Sequence, residues 1–248
     1  MSINAEYCDP FADDKQDIWM KLEHCGRYLF ARDFLARKGC ESVLDVACSN
    51  GYGSHMLFES GFNVIAADKN KSYMDSWYLK QDGVKTFCFD FDDDWPCSVP
   101  SANSIVCFET IEHLRFPFPF IKKLSCHIDT NGWLLLSFPN VIYEKLELDG
   151  SNRDPYHLHI LNTKDVASTL SENGFRVVKI MGQPVCNEML LRQHELQAKG
   201  SINPSDIDDA FNYTRQSIVA LSRLMAYPQA TRLKKSYSFI FVAQKICV

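Results

Sequence analysis

No stretch of the 248-residue chain approaches the roughly twenty consecutive apolar residues that a membrane-spanning helix requires. The Met1 end lacks the apolar segment of a secretory leader, and none of the ten cysteines forms a Cys-x-x-Cys pair. A disulfide framework is therefore not expected. Cys40, Cys48, Cys88, Cys107 and Cys126 sit in or beside apolar runs, where a reduced thiol behaves as a small hydrophobe, so a reducing, cytoplasmic setting is expected. A basic excess is missing too. Lys and Arg total 26 against 31 acidic residues, a formal net charge of -5, which argues against a large nucleic-acid footprint. Internal repeats and low-complexity runs are absent. What remains is ordinary: 46% hydrophobic and 23% charged residues exclude disorder as the main state. The length suits one domain, 1–248, carrying an elaboration.

The most informative stretch is Val43-Leu-Asp-Val-Ala-Cys-Ser-Asn-Gly-Tyr-Gly53. An apolar, β-favouring run carrying one acid enters small, turn-forming residues, and 52–60 then reads as a helix. Ala47, Ser49, Gly51 and Gly53 put little side chain in the way of a ligand, and Asn50-Gly51 tolerates positive φ. About twenty residues on, Val64-Ile-Ala-Ala67 ends in Asp68, an acid placed to hold two ribose hydroxyls.

This stretch resembles motif I of the class I S-adenosylmethionine (SAM) dependent methyltransferases, usually Asp-x-Gly-x-Gly-x-Gly. Ala47 stands at the first glycine, Ser49 at the second and Gly51 at the third. The resemblance implies SAM as cofactor, with Asp45, Ala47, Cys48, Gly51, Asp68 and Lys69 around it. Glu23-His-Cys-Gly-Arg-Tyr28 resembles the Glu-His-x-x-Arg-Tyr segment that precedes motif I in a glycan-associated bacterial subset. Arg27 would then pair with the methionine carboxylate, a bidentate fit that arginine suits. After the third strand, the resemblance implies Asp90 as acceptor for the adenine amino group and Phe91 as cover for the ring, with Phe108 at the end of the fourth strand. Asp92 to Asp94 read as a solvated turn.

Residues 1–14 read as a mobile arm or lid, and 15–37 as a helix with a break near Gly26, together an N-terminal helical arm over 1–37. Helices are expected at 71–80, 118–127 and 163–173, the last capped by Thr163 and stopped by Gly174. Strands are expected at 84–89, 104–108, 132–138, 175–181 and 236–242. Residues 183–234 form a helical insertion (188–199 and 207–225) before the closing strand, expected to cap the acceptor or make a homodimer interface. The alternation predicts an α/β, Rossmann-like doubly wound seven-stranded sheet with its last strand antiparallel.

Glu109-Thr-Ile-Glu-His113 leaves the carboxyl end of the fourth strand, where ligands of open α/β sheets bind. Methyl transfer needs the acceptor positioned and, for a hydroxyl, its proton removed. His157 and His159, in a loop after the fifth strand, are the candidate bases, with His157 favoured because similar proteins hold a histidine there. Glu109 is placed near the acceptor. Glu109, Glu112 and His113 also offer a divalent-cation alternative, completed by His157 or His159, as in metal-assisted O-methyltransferases. The leading expectation is O-methylation, less so N-methylation, of a small molecule or glycan precursor, toward which Gly182-Gln183 also points by resemblance. A metal-assisted enzyme acting on a catechol-like or RNA 2′-hydroxyl is the alternative, and a non-catalytic SAM-binding or scaffold protein is the reading from another class.

Overall fold

The computed structural model describes residues 8–12, 18–143, 155–184, 186–201, 213–230, 233 and 236–247. Seven strands, β1 (Ser42–Val46), β2 (Asn63–Asp68), β3 (Lys85–Cys88), β4 (Ala102–Cys107), β5 (Ile128–Pro139), β6 (Phe175–Gly182) and β7 (Ser238–Lys245), form one sheet in the order β3-β2-β1-β4-β5-β7-β6. Pairings from β3 across to β5 are parallel, and β7 runs antiparallel to both β5 and β6, as expected of the last strand. The order reverses between β1 and β4, so the connections leaving their carboxyl ends diverge and open a crevice there.

Alternating side chains of the central strands serve two cores, as period-2 geometry requires of a sheet covered on both faces. Leu44, Val46, Ile105, Cys107, Leu134 and Leu136 face α4 (Pro117–Cys126) and α5 (Thr163–Glu172), which contribute Phe120, Ile121, Leu124, Val166 and Leu170. Val43, Val64, Val106, Leu135, Ile240 and Val242 face α1 (Ile18–Arg37) and α2 (Tyr52–Phe58). The insertion contributes α6 (Cys186–Ala198) and α7 (Arg215–Met225), and Ile218 and Ala226 join this second core against α1. Of the second helix expected in the insertion, over 207–225, positions 207–212 lie outside the described residues.

Several local expectations are corrected. Helix α1 runs unbroken through Gly26. The glycine is there for close approach, because a Cβ at residue 26 would lie 2.6 Å from the Ala226 carbonyl oxygen. The helix expected over 71–80 is a single turn, α3 (Lys71–Met74). Ser76 Oγ captures the backbone N–H of Tyr78 at 3.2 Å, offering the chain a turn in place of helix. The cap of α5 is Asn162, whose side chain accepts from the backbone N–H groups of Lys164 and Asp165, and not Thr163. Asp92 is no solvated residue: it accepts from the backbone N–H groups of Arg115 and Phe116 and from Arg115 Nε, which fixes the start of α4. Of the expected mobile arm, 8–12 is pinned, since Asp9 accepts from Asn50 Nδ2 at 2.8 Å and from the Tyr78 hydroxyl at 3.3 Å.

No helix among the described residues is long and apolar enough to cross a membrane. The nine described cysteines are all free thiols.

Candidate active site

A cavity of about 330 Å³ opens at the carboxyl ends of β1, β2 and β4. That volume lies within the range of small-molecule and cofactor pockets. Its floor is the turn after β1. Ala47, Ser49 and Gly51 have φ of 61°, 53° and 85°, so all three positions where the motif usually has glycine adopt the left-handed conformation. Two of them do so with a Cβ, at an expense of about 1–2 kcal/mol each. The turn is held by Cys48 N donating to Ala67 O at 3.0 Å and Gly51 N to Cys48 O at 2.9 Å. A glycine suits position 51 doubly, because a Cβ there would fall 2.3 Å from Leu79.

Asp68 joins the first turn to the second. One carboxylate oxygen accepts from Ser49 N and the other from Asn70 N, both at 2.8 Å. Burial raises its pKa against these two hydrogen bonds. Each oxygen keeps a further lone pair, so paired ligand hydroxyls would find an acceptor already fixed in place. Lys69, Phe91 and Phe108 also line the cavity, as do Ala47 and Cys48.

Helix α1 supplies another wall with Met20, Glu23, His24 and Arg27, spaced i, i+3, i+4 and i+7 and so on one helical face. Arg27 is 2% exposed. Among the described residues it donates from Nη1 to Gln183 Oε1 at 2.8 Å and stands 3.7 Å from Glu109 Oε2. Its Nε and Nη2 make no further hydrogen bond among them, so a buried cation has donors left for an anionic group. Burial, aided by the charge of Arg27, holds His24 well below the ordinary histidine range, and its Nδ1 is hydrogen-bonded to the Tyr52 hydroxyl at 2.9 Å. Glu109 has φ 45°, an uncommon conformation for a side chain of that size. Ser137 fixes it by accepting from Glu109 N at 3.0 Å and donating to Glu109 Oε1 at 2.6 Å.

The remaining wall holds Glu112, His113 and His157. The His113 and His157 rings are edge to face with centroids 4.8 Å apart, and His113 Nδ1 is bonded to Tyr156 O at 2.9 Å. One potential ligand atom from each of the three residues lies within 4.8 Å of the others. Glu109 does not belong to this group, since Ser137 and Arg27 hold its carboxylate.

Four expected site residues stand elsewhere. Asp45 is 1% exposed behind the turn and does not line the cavity. It accepts from the Tyr28 hydroxyl at 3.0 Å and the Ser54 hydroxyl at 2.6 Å, and burial pushes its pKa up to about 7. Gly51 shapes the turn from below. Asp90 is exposed and accepts from the backbone N–H of Asp92 at 2.9 Å, which turns its carboxylate away from the cavity. His159 lies outside the lining, tied by its backbone N–H to Glu112 O at 3.1 Å. Sequence reasoning missed His24, Tyr52 and Tyr237 as lining residues.

A doubly wound sheet with its last strand antiparallel, a left-handed turn after β1 and an acid at the tip of β2 are the marks of the class I SAM-dependent methyltransferase fold. The chain belongs to the methyltransferase-domain family, whose profile matches residues 18–180. A ubiquinone biosynthesis O-methyltransferase of Rickettsia felis is 34% identical over 100 residues, covering 40% of this chain and 41% of that protein. The chain thus spans about two-fifths of the length of the curated relatives it matches first. Among solved structures, the magnesium protoporphyrin IX methyltransferase of Synechocystis, with bound SAM, superposes with TM-score 0.57 at 14% identity, over 95% of this chain and 88% of that one. The [4+2]-cyclase SpnF superposes with TM-score 0.59 at 14% identity, over 96% and 87%. Likeness at that level shows the fold alone.

Proposed function

We propose that this chain is a single cytoplasmic methyltransferase domain that transfers a methyl group from SAM to an oxygen of a small molecule or glycan precursor. The observation that carries the reading is the convergence of Asp68, Arg27 and the left-handed turn on one cavity. Asp68 would accept from the ribose hydroxyls, Phe91 and Phe108 would flank the adenosine, and Arg27 would take the methionine carboxylate. SAM supplies an electrophilic methyl, so the residues have only to bind, orient and handle a proton. His157 would receive the acceptor's proton, with Glu109 near the acceptor and fixed by Ser137. The naming of the first matched relatives as O-methyltransferases supports oxygen over nitrogen.

Calorimetry with S-adenosylhomocysteine (SAH) tests the cofactor assignment. Micromolar affinity is expected, weakened at least tenfold in Asp68→Ala; a flat trace for the wild type would favour a non-catalytic scaffold. His157→Ala should keep SAH affinity within about twofold and lose about a hundredfold or more in turnover on an acceptor that the wild type methylates. Undiminished turnover removes His157 from the chemistry.

A second reading is favoured by the convergence of Glu112, His113 and His157. Two imidazoles and a carboxylate are a plausible donor set for a divalent cation, which would polarise an acceptor hydroxyl. Full activity after exhaustive EDTA treatment would dispose of it.

A further inference from the structure

We propose that Gln183 is a positioning residue that aims the Arg27 guanidinium at the carboxylate of the bound cofactor. The inference rests on the reading of Arg27 given above. The Gln183 side chain is fully buried, at 0% exposure, and all its polar atoms are engaged. Its Oε1 accepts from Arg27 Nη1 at 2.8 Å and from the Ser238 hydroxyl at 3.2 Å. Its Nε2 donates to Glu23 O at 2.8 Å and to Ala226 O at 3.0 Å. Those two carbonyls settle the amide's orientation, because a flipped amide would set an oxygen against both of them. The oxygen is therefore committed to Arg27.

The backbone of residue 183 is fixed as well. Gln183 N donates to Ser238 O at 2.9 Å, and Gln183 O accepts from Tyr237 N at 3.0 Å. One side chain thus ties α1, the end of α7 and the start of β7 to a single guanidinium nitrogen. Glu109 at 3.7 Å is too far for a hydrogen bond to that nitrogen, so among the described residues the direction of the guanidinium plane is set by Gln183. Deprived of this acceptor, Arg27 would be free to swing toward Glu109 and close a two-point ion pair, leaving the ligand carboxylate without its partner.

The test compares SAH with 5′-deoxy-5′-methylthioadenosine, which keeps the nucleoside and lacks the amino-acid carboxylate. Calorimetry is run on the wild type, Gln183→Met, Arg27→Met and the double variant. In Gln183→Met, SAH affinity should fall about tenfold to a hundredfold, as for a lost hydrogen bond to a charged group, with methylthioadenosine unchanged within threefold. In the Arg27→Met background the Gln183 substitution should cost SAH nothing further. Gln183→Asn, a milder change that keeps a neutral amide but shortens it by one methylene, should also weaken SAH selectively, since its oxygen would fall short of Arg27 Nη1. Equal loss of both ligands, no loss of either, or additivity in the double variant would overturn the proposal while the cofactor reading stands. A wild type that binds neither ligand would overturn both.

Discussion

The protonation of Asp45 is open to direct measurement. Burial pushes this carboxyl from 3.8 up to about 7, even though hydroxyls of Tyr28 and Ser54 favour the anion, and the charge of Asp68 pushes the same way as burial. The folded state therefore keeps a proton that the unfolded chain gives up near pH 4. Stability from this group is full below pH 4 and is lost as pH rises to 7, beyond which both states are ionised. The whole shift corresponds to at most about 4 kcal/mol, and about 3 kcal/mol of it falls between pH 5 and pH 8. Asp45→Asn supplies the test, because an amide keeps the acceptor for Tyr28 and never ionises. His24 and Asp68 also have displaced pKa values, but to first order their contributions cancel in the difference between wild type and variant. Urea unfolding at half-unit pH steps and constant ionic strength should show the wild type losing about 3 kcal/mol relative to Asp45→Asn across that window. A difference that stays flat, or changes in the opposite direction, would mean that the carboxyl is ionised in the native state and would refute the burial argument.

The left-handed turn and the helix contact give further tests. Ser49→Gly removes about 1–2 kcal/mol of backbone strain and adds about 0.4–1 kcal/mol of unfolded-state freedom; a net gain of about 0.5–1 kcal/mol should raise the Tm by about 1–4 °C. A lower Tm would show that the turn is not strained at position 49. Gly26→Ala should lower stability by about 1–3 kcal/mol through overpacking against Ala226, although alanine is the better helix former by about 1 kcal/mol. A neutral or stabilising result would show that α1 and the end of α7 separate readily.

The sheet was legible because its central strands carry apolar runs too long for loops and too short for helices, each followed by turn chemistry or an acid. Asp68 could be placed by spacing alone. Parity along the chain gave less: at 90–91 the pattern contains an acid and an aromatic, but only the fold shows Phe91 turned in and Asp90 turned out. Asp45 was assigned to the ligand since nothing local reveals Tyr28 and Ser54 waiting behind it. The stripe Met20, Glu23, His24 and Arg27 repeats at helical spacing, yet its mixed chemistry hides it from a search for apolar period. Gln183 is the least legible of all, because its partners come from positions 23, 27, 226 and 238.

The insertion acquires a role from the same contacts. A helix that carries a buried arginine into a cavity must itself be held on its far side, and α7 does this for α1. Ile218 and Ala226 join the core that α1 forms with the sheet. At the rim, Arg223 and Tyr227 both donate to Asp33, and Arg215 pairs with Glu59 of the segment after α2. Exposed pairs of this kind contribute no more than about 1 kcal/mol each, so the apolar contact and the Gly26 approach carry most of the docking. The apolar face of α7 is thereby used within the chain, and Leu224, at 78% exposure, is its one large hydrophobic residue among those described as exposed. Loss of α7 would consequently be felt first as a displaced α1, with Arg27 and His24 moved from the cavity wall.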